Sequence, residues 1–95
     1  MEQPGYRIVY DDTVKKHFAV HYKSGNKASI KKLERIVKEL SETPFLGTGD
    51  PHALGYELSG SWSRHINKKD VLIYTVFEEI KIVQIHSALG HYQDK

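Results

Sequence analysis

The chain has 95 residues, 39% of them hydrophobic and 27% charged, with 14 Lys and Arg against 12 Asp and Glu and no cysteine. That length suits one domain with a thin core; the lack of cysteine excludes a disulfide framework and a thiolate zinc site; and no run approaches the roughly 20 apolar residues that span a bilayer. Met1-Glu2-Gln3-Pro4-Gly5 lacks the basic and apolar regions of an export signal, so residues 1–5 read as a flexible extension of a single 1–95 domain, cytoplasmic and without a membrane partner.

Tyr6 to Tyr10, β-branched and aromatic, reads as a first strand. Asp11, Asp12 or Thr13 then caps a helix in which Val14, Phe18 and Tyr22 recur at spacing four, with His17 and His21 alongside. Ser24-Gly25-Asn26 breaks that helix. A second, from Lys27 to Glu42, places Ile30, Leu33, Ile36, Val37 and Leu40 on one stripe and leaves Lys31, Lys32, Arg35 and Lys38 pointing elsewhere. Thr43-Pro44 closes it, because the residue before proline is disfavoured in the helical region. After a loop marked by Gly47, Gly49 and Pro51 come strands at Tyr56-Glu57-Leu58, Ser61 to Asn67, Val71 to Phe77 and Lys81 to Ser87, with turns at Asn67-Lys68-Lys69-Asp70 and Glu78-Glu79. Period-two alternation puts Trp62, Arg64 and Ile66 on one face and Ser63 and His65 on the other. The fold class is α+β: an N-terminal strand, two helices and an antiparallel β-meander in two layers.

The charge is uneven. From Thr13 to Lys38 eight basic side chains face Glu34 alone, a local +7 that leaves −5 for the remainder. Such a basic surface suits RNA through counterion release, and it suits an acidic protein tail equally.

The runs Thr43-Pro44-Phe45-Leu46-Gly47-Thr48-Gly49-Asp50-Pro51 and Leu58-Ser59-Gly60-Ser61-Trp62-Ser63-Arg64-His65-Ile66-Asn67, with His91-Tyr92 near the end, gather imidazole, guanidinium and phenol in the C-terminal half. Those groups are the types that hold and cleave a phosphodiester. Cleaving RNA needs a base for the 2′-OH proton, a cation for the phosphate and an acid for the departing 5′ oxygen; histidine fills either proton-transfer role. On these residues the chain resembles the YoeB toxins of the RelE/ParE superfamily, from about Tyr6 to Tyr92.

The resemblance implies a RelE-like fold and a toxin that cuts messenger RNA in the ribosomal decoding site. It implies a cognate antitoxin of the YefM/Phd kind, ribosome and mRNA as partners, a homodimer or hetero-oligomer, and no cofactor or metal. It also implies His91 as general acid, Tyr92 positioning the nucleotide and Arg64 on the scissile phosphate; His52 is the substitute base, His65, Lys68 and Lys69 are nearby groups for holding RNA phosphate, and Lys31, Lys32 and Arg35 of the basic helices are further RNA-binding candidates. Three positions depart from the family pattern. Its loop Glu is replaced by His52 and a following Lys by Gly55, and its phosphate-clamping Arg, in His-Arg-Leu-Val-Tyr, by Val71 within Asp70-Val71-Leu72-Ile73-Tyr74.

The residues alone also allow plainer readings. Arg64 suits a stem packed on Trp62 with its head paired to an acid, His91-Tyr92 a chain tail, and His52 a loop residue without proton transfer. Trp62 is a core residue, His17 and His21 are helix-face residues rather than metal ligands, and His86 is a half-covered strand residue. Val71 and Gly55 favour an alternative function, a RelE-fold module that binds antitoxin or ribosome without cutting. A gyrase-directed toxin of the ParE branch fits less well, since the His-Tyr ending argues for RNA.

Overall fold

In the computed structural model, which describes residues 5–55 and 60–90, β1 (Arg7–Tyr10) leads into α1 (Asp12–Ser24) and α2 (Lys27–Leu40), followed by β2 (His52–Ala53), β3 (Ser61–His65), β4 (Val71–Phe77) and β5 (Ile82–Ser87). The strand expected at 56–58 lies outside the described residues, as do His91, Tyr92 and most of the expected N-terminal extension.

Local chemistry sets the helix ends. The Asn26 side chain accepts from the Ser29 backbone N–H at 3.1 Å and caps α2. Gly25 ends α1 in the left-handed region, φ 75°, where a side chain is disfavoured. Asp11 occupies the N-cap position of α1, yet its side chain makes no capping bond. α2 stops at Leu40, two residues before the expected Glu42, because Glu42 and Thr43 fold back to donate to the Glu39 carbonyl.

Burial follows the predicted stripe on α2, where Leu33, Ile36 and Leu40 are all fully buried. On α1 the buried face is rotated from the one expected: Val14 and His21 are buried, Phe18 is half-buried and Tyr22 is exposed. The polar partners explain the rotation, since His21 reaches the Ala88 carbonyl inside while the Tyr22 hydroxyl turns out to Glu34.

The sheet order is β1-β5-β4-β3-β2. β3, β4 and β5 form the expected antiparallel meander and the unexpected β2 joins β3 antiparallel, but β1 adds to β5 in parallel, Arg7 opposite Ile82 and Tyr10 opposite Ile85, so the sheet is mixed. The helices cover one face, where Val14, Leu33, Ile36 and Leu40 meet Ile66, Leu72, Tyr74, Val83, Ile85 and Ala88. Trp62 is half-buried at the margin of this core and packs on Phe45, ring centroids 5.1 Å apart. The other face carries no helix among the described residues.

Candidate active site on the open sheet face

Alternation along β3 turns Arg64 inward and His65 outward, as expected. Arg64, however, does not reach a surface. It is fully buried, and all five of its N–H donors have acceptors. Nε donates to the Tyr74 hydroxyl (3.1 Å), Nη1 to the Glu39 carboxylate (2.8 Å) and the Thr48 carbonyl (3.2 Å), and Nη2 to the carbonyls of Thr43 (2.8 Å) and Leu46 (2.9 Å). A guanidinium so satisfied has no donor left for a phosphate. The expectation of Arg64 as phosphate ligand gives way to its plainer alternative, an arginine paired with an acid.

The same geometry explains the loop motif. Carbonyls of Thr43, Leu46 and Thr48 close around the guanidinium, and the Tyr74 hydroxyl donates to the Pro44 carbonyl at 2.7 Å. Gly47 and Gly49 have φ of 126° and 87°; a Cβ on the first would collide with the Glu39 carboxylate, and on the second would meet the His65 carbonyl at 2.8 Å. Only glycine lets the loop come this close. Glu39 anchors the other side, accepting from the Thr48 N–H and hydroxyl, both at 2.7 Å. Burial alone would raise its pKa; the Thr48 bonds and then Arg64 outweigh that and hold the carboxyl below its usual range.

Outward-facing positions assemble a different set. Side chains of directly paired residues share a face, so the pairs His52 with Ser63, Ser63 with Ile73, and His65 with Val71 line one end of the open face. His52 stands on an exposed two-residue edge strand rather than in the expected loop. His65 is exposed, and Val71, at the position where the family pattern has a cation, is nearly buried.

Two further hydrogen bonds bring the last described residue to this place. The Asp70 carboxylate accepts from the Gly90 N–H at 2.9 Å, and the Gly90 carbonyl accepts from the Val71 N–H at 2.9 Å. Just before it, Ala88 is held from both sides, its N–H donating to His17 Nδ1 (3.0 Å) and its carbonyl accepting from His21 Nε2 (2.6 Å). The two helix histidines thus hold the backbone of Ala88. Burial raises the Asp70 pKa, but the Gly90 N–H and Asn67 outweigh it, and the group stays ionised below the usual range.

The basic residues divide between two places. Lys68 and Lys69 are exposed on the β3–β4 turn, at the same end of the sheet as His65. Lys31, Lys32 and Arg35 line a shallow hollow on α2 with Ala28 and Thr48, on the helical side of the molecule. Neither Glu39 nor Asp70 stands out in the sequence, although each organises part of the site. A signal exists for Glu39: an acid in the last turn of a helix opposes the macrodipole and calls for a compensating partner.

A family model described as "YoeB-like toxin of bacterial type II toxin-antitoxin system" matches residues 7–92. The chain is 34% identical over 64 residues to Toxin YoeB of Escherichia coli O6:H1, covering 67% of this chain and 76% of that protein. To Toxin YoeB of Synechocystis it is 34% identical over 77 residues, 81% and 87% of the two chains. Among solved structures, the YoeB/ParE toxin from Agrobacterium tumefaciens shares the fold with a TM-score of 0.79 at 21% identity, over 90% of this chain and 99% of that one. A chain of the YoeB-YefM complex from Staphylococcus aureus superposes with a TM-score of 0.72 at 27% identity, over 92% and 98%.

Proposed function

Because the chain belongs to the YoeB-like toxin family of bacterial type II toxin-antitoxin systems, we propose that it is a ribosome-dependent endoribonuclease that cuts messenger RNA in the A site by metal-independent acid-base chemistry, acting as a single cytoplasmic domain. The observation that carries this reading is the convergence of His52, His65 and the anchored Gly90 on one end of the open sheet face. Gly90 is followed directly by His91 and Tyr92.

In this mechanism the ribose 2′ oxygen attacks the adjacent phosphorus, a base takes its proton and an acid protonates the leaving 5′ oxygen. His91 is the acid and Tyr92 positions the nucleotide. His52 stands at the position from which the family takes its base, while His65, Lys68 and Lys69 offset phosphate charge at the same end. Arg64 contributes by shaping the loop that leads to His52. Its own donors are engaged. Lys31, Lys32 and Arg35 bind ribosomal RNA on the helical side of the molecule.

The partner is an antitoxin of the YefM kind, in line with the YoeB-YefM complexes of Staphylococcus aureus among the structural neighbours, and a homodimer is in line with the YoeB dimer from the same organism. Expression in a bacterial cell without antitoxin tests the reading. Arrested growth and cut messages are expected, and unimpaired growth with intact mRNA removes it. One observation favours a second reading: Val71 and Gly55 stand where the pattern calls for Arg and Lys, which suits a module that binds without cutting. Purified protein added to translating ribosomes separates the two, with codon-linked cuts under the first and none under the second.

A further inference from the structure

A hydrogen-bonded chain crosses the open face beside the His52–Ser63–His65 end just described. The Ser61 and Thr75 hydroxyls are 2.8 Å apart on β3 and β4, Thr75 Oγ1 lies 2.7 Å from His86 Nε2 on β5, and His86 Nδ1 lies 2.9 Å from Asp11 Oδ2. The other Asp11 oxygen accepts from the Gln84 amide at 2.5 Å. A carboxylate can only accept, so Nδ1 carries the hydrogen, and in the neutral ring the lone pair of Nε2 faces the Thr75 hydroxyl. Hydroxyl, imidazole and carboxylate in this order form the arrangement that activates an oxygen for proton loss.

Four observations argue that the arrangement does more than stitch strands together. Asp11 stands where it would cap α1, yet both its oxygens turn to Gln84 and His86 instead. The bond from Gln84, then that from His86, hold the Asp11 carboxyl below its usual pKa range, so the charge is permanent at neutral pH. His86 and Asp11 each keep a third of their side-chain surface open to solvent. The Ser61–Thr75 pair also sits two residues along from the Ser63–Ile73 pair that flanks His52, about 7 Å away on the same face. One ribonucleotide covers that span.

We propose that Asp11, His86 and Thr75 form the base arm of the nuclease, replacing the carboxylate that the family position lacks here. The assignment rests on the endoribonuclease reading. The RNA 2′-OH gives its proton to Thr75 Oγ1 as the hydroxyl hydrogen of Thr75 passes to His86 Nε2. The freed 2′ oxygen bonds to the adjacent phosphorus, and the bond to the 5′ oxygen breaks as the acid arm protonates it, leaving a 2′,3′-cyclic phosphate. Asp11 positions the ring and balances the imidazolium, which later returns its proton to solvent. Arg7, His52 and His65 share the open face with His86 at other register positions, and among the described residues Asp11 is the charged group that touches it.

Single-turnover cutting of mRNA on programmed ribosomes, followed from pH 5 to 9, tests the assignment. Wild-type protein is compared with His86→Gln, Asp11→Asn, Thr75→Val and Thr75→Ser, and antitoxin affinity reports folding of each. His86→Gln and Thr75→Val are expected to cut at least about 100-fold more slowly. A limb on which the rate rises with pH is expected in the wild type and is expected to vanish in His86→Gln. Asp11→Asn falls between these and wild type, and Thr75→Ser recovers most of the rate. A folded His86→Gln that cuts within threefold of wild type with its rising limb intact overturns the proposal and leaves the nuclease reading standing. Should His86→Gln fail to bind antitoxin, Thr75→Val decides, and wild-type cutting by it is equally fatal. A wild-type protein that cuts nothing removes both readings together.

Discussion

Arg64 meets an acceptor with each of its five donors, and three of those acceptors are carbonyls of the loop that its own positive charge draws inward. Replacing it by Met leaves the Glu39 carboxylate without its cation and that ring of carbonyls without donors, a change worth about 3–5 kcal/mol. Stability for a chain this long is about 5–14 kcal/mol in all. Urea unfolding of Arg64→Met is expected to show that loss, and Arg64→Lys a substantial part of it, since an ammonium cannot reproduce the planar fork. Glu39 gives the same cluster a pH dependence. Its folded pKa is depressed, so its contribution is fully present above the unfolded value of 4.5 and is lost as pH falls through the folded value. Thermal midpoints are therefore expected to hold from pH 7 to about 5 and to fall below that, with a smaller fall in Glu39→Gln. At two of the departures from the family pattern, Gly55 and Val71, the expected changes run upward. Gly55 has open space where a side chain would stand, so Gly55→Lys is expected to speed cutting without a stability cost. Val71→Arg is expected to add as much as about 10²–10³ in rate while costing about 1–3 kcal/mol for crowding a nearly buried site. Unchanged single-turnover rates in both would show that these positions do not limit the reaction.

At the scale of elements, α2 has two working sides. Leu33, Ile36 and Leu40 fasten it to the sheet while Lys31, Lys32 and Arg35 line the opposite hollow. Changing those three to Glu is expected to weaken ribosome binding and flatten its dependence on salt, by about 0.7–0.9 in log–log slope for each phosphate that the patch no longer neutralises. Loss of antitoxin affinity with ribosome binding unchanged would assign the patch to the antitoxin instead. The periodicities that define α2, β3, β4 and β5 are local, which is why these elements and the inward turn of Arg64 are legible in the sequence. β2 is not: two residues cannot display a period, and His52 joins the sheet only because Ser63 offers it an edge. The buried face of α1 escapes its own pattern for a related reason. His21 is drawn inside by a carbonyl 67 residues away, and no periodicity within α1 contains that information. The partners of His86 and of Arg64 likewise come from other elements, so imidazole and guanidinium are visible as candidates while the groups that decide their roles are not.

For the whole molecule, the two faces separate tasks: one holds hydrocarbon between helices and sheet, the other collects histidines, hydroxyls and an anchored C-terminal segment. A core this thin leaves stability to be gained from any partner that binds only the folded form. Thermal unfolding with a YefM-type antitoxin at 100 times its Kd is expected to show about 2.7 kcal/mol of added stability, and no shift would mean that the antitoxin recognises unfolded chain as well. The parallel pairing of β1 with β5 carries a consequence for biogenesis. The first strand has no neighbour in the sheet until the last has been translated, and the Asp11–His86 hydrogen bond closes a loop of 75 residues. Helical turns can form as the polypeptide lengthens, whereas the sheet can close only near the end of synthesis. The histidines and hydroxyls of the open face therefore come together only when synthesis is almost complete, and a partner that reads the folded face has nothing to hold before then.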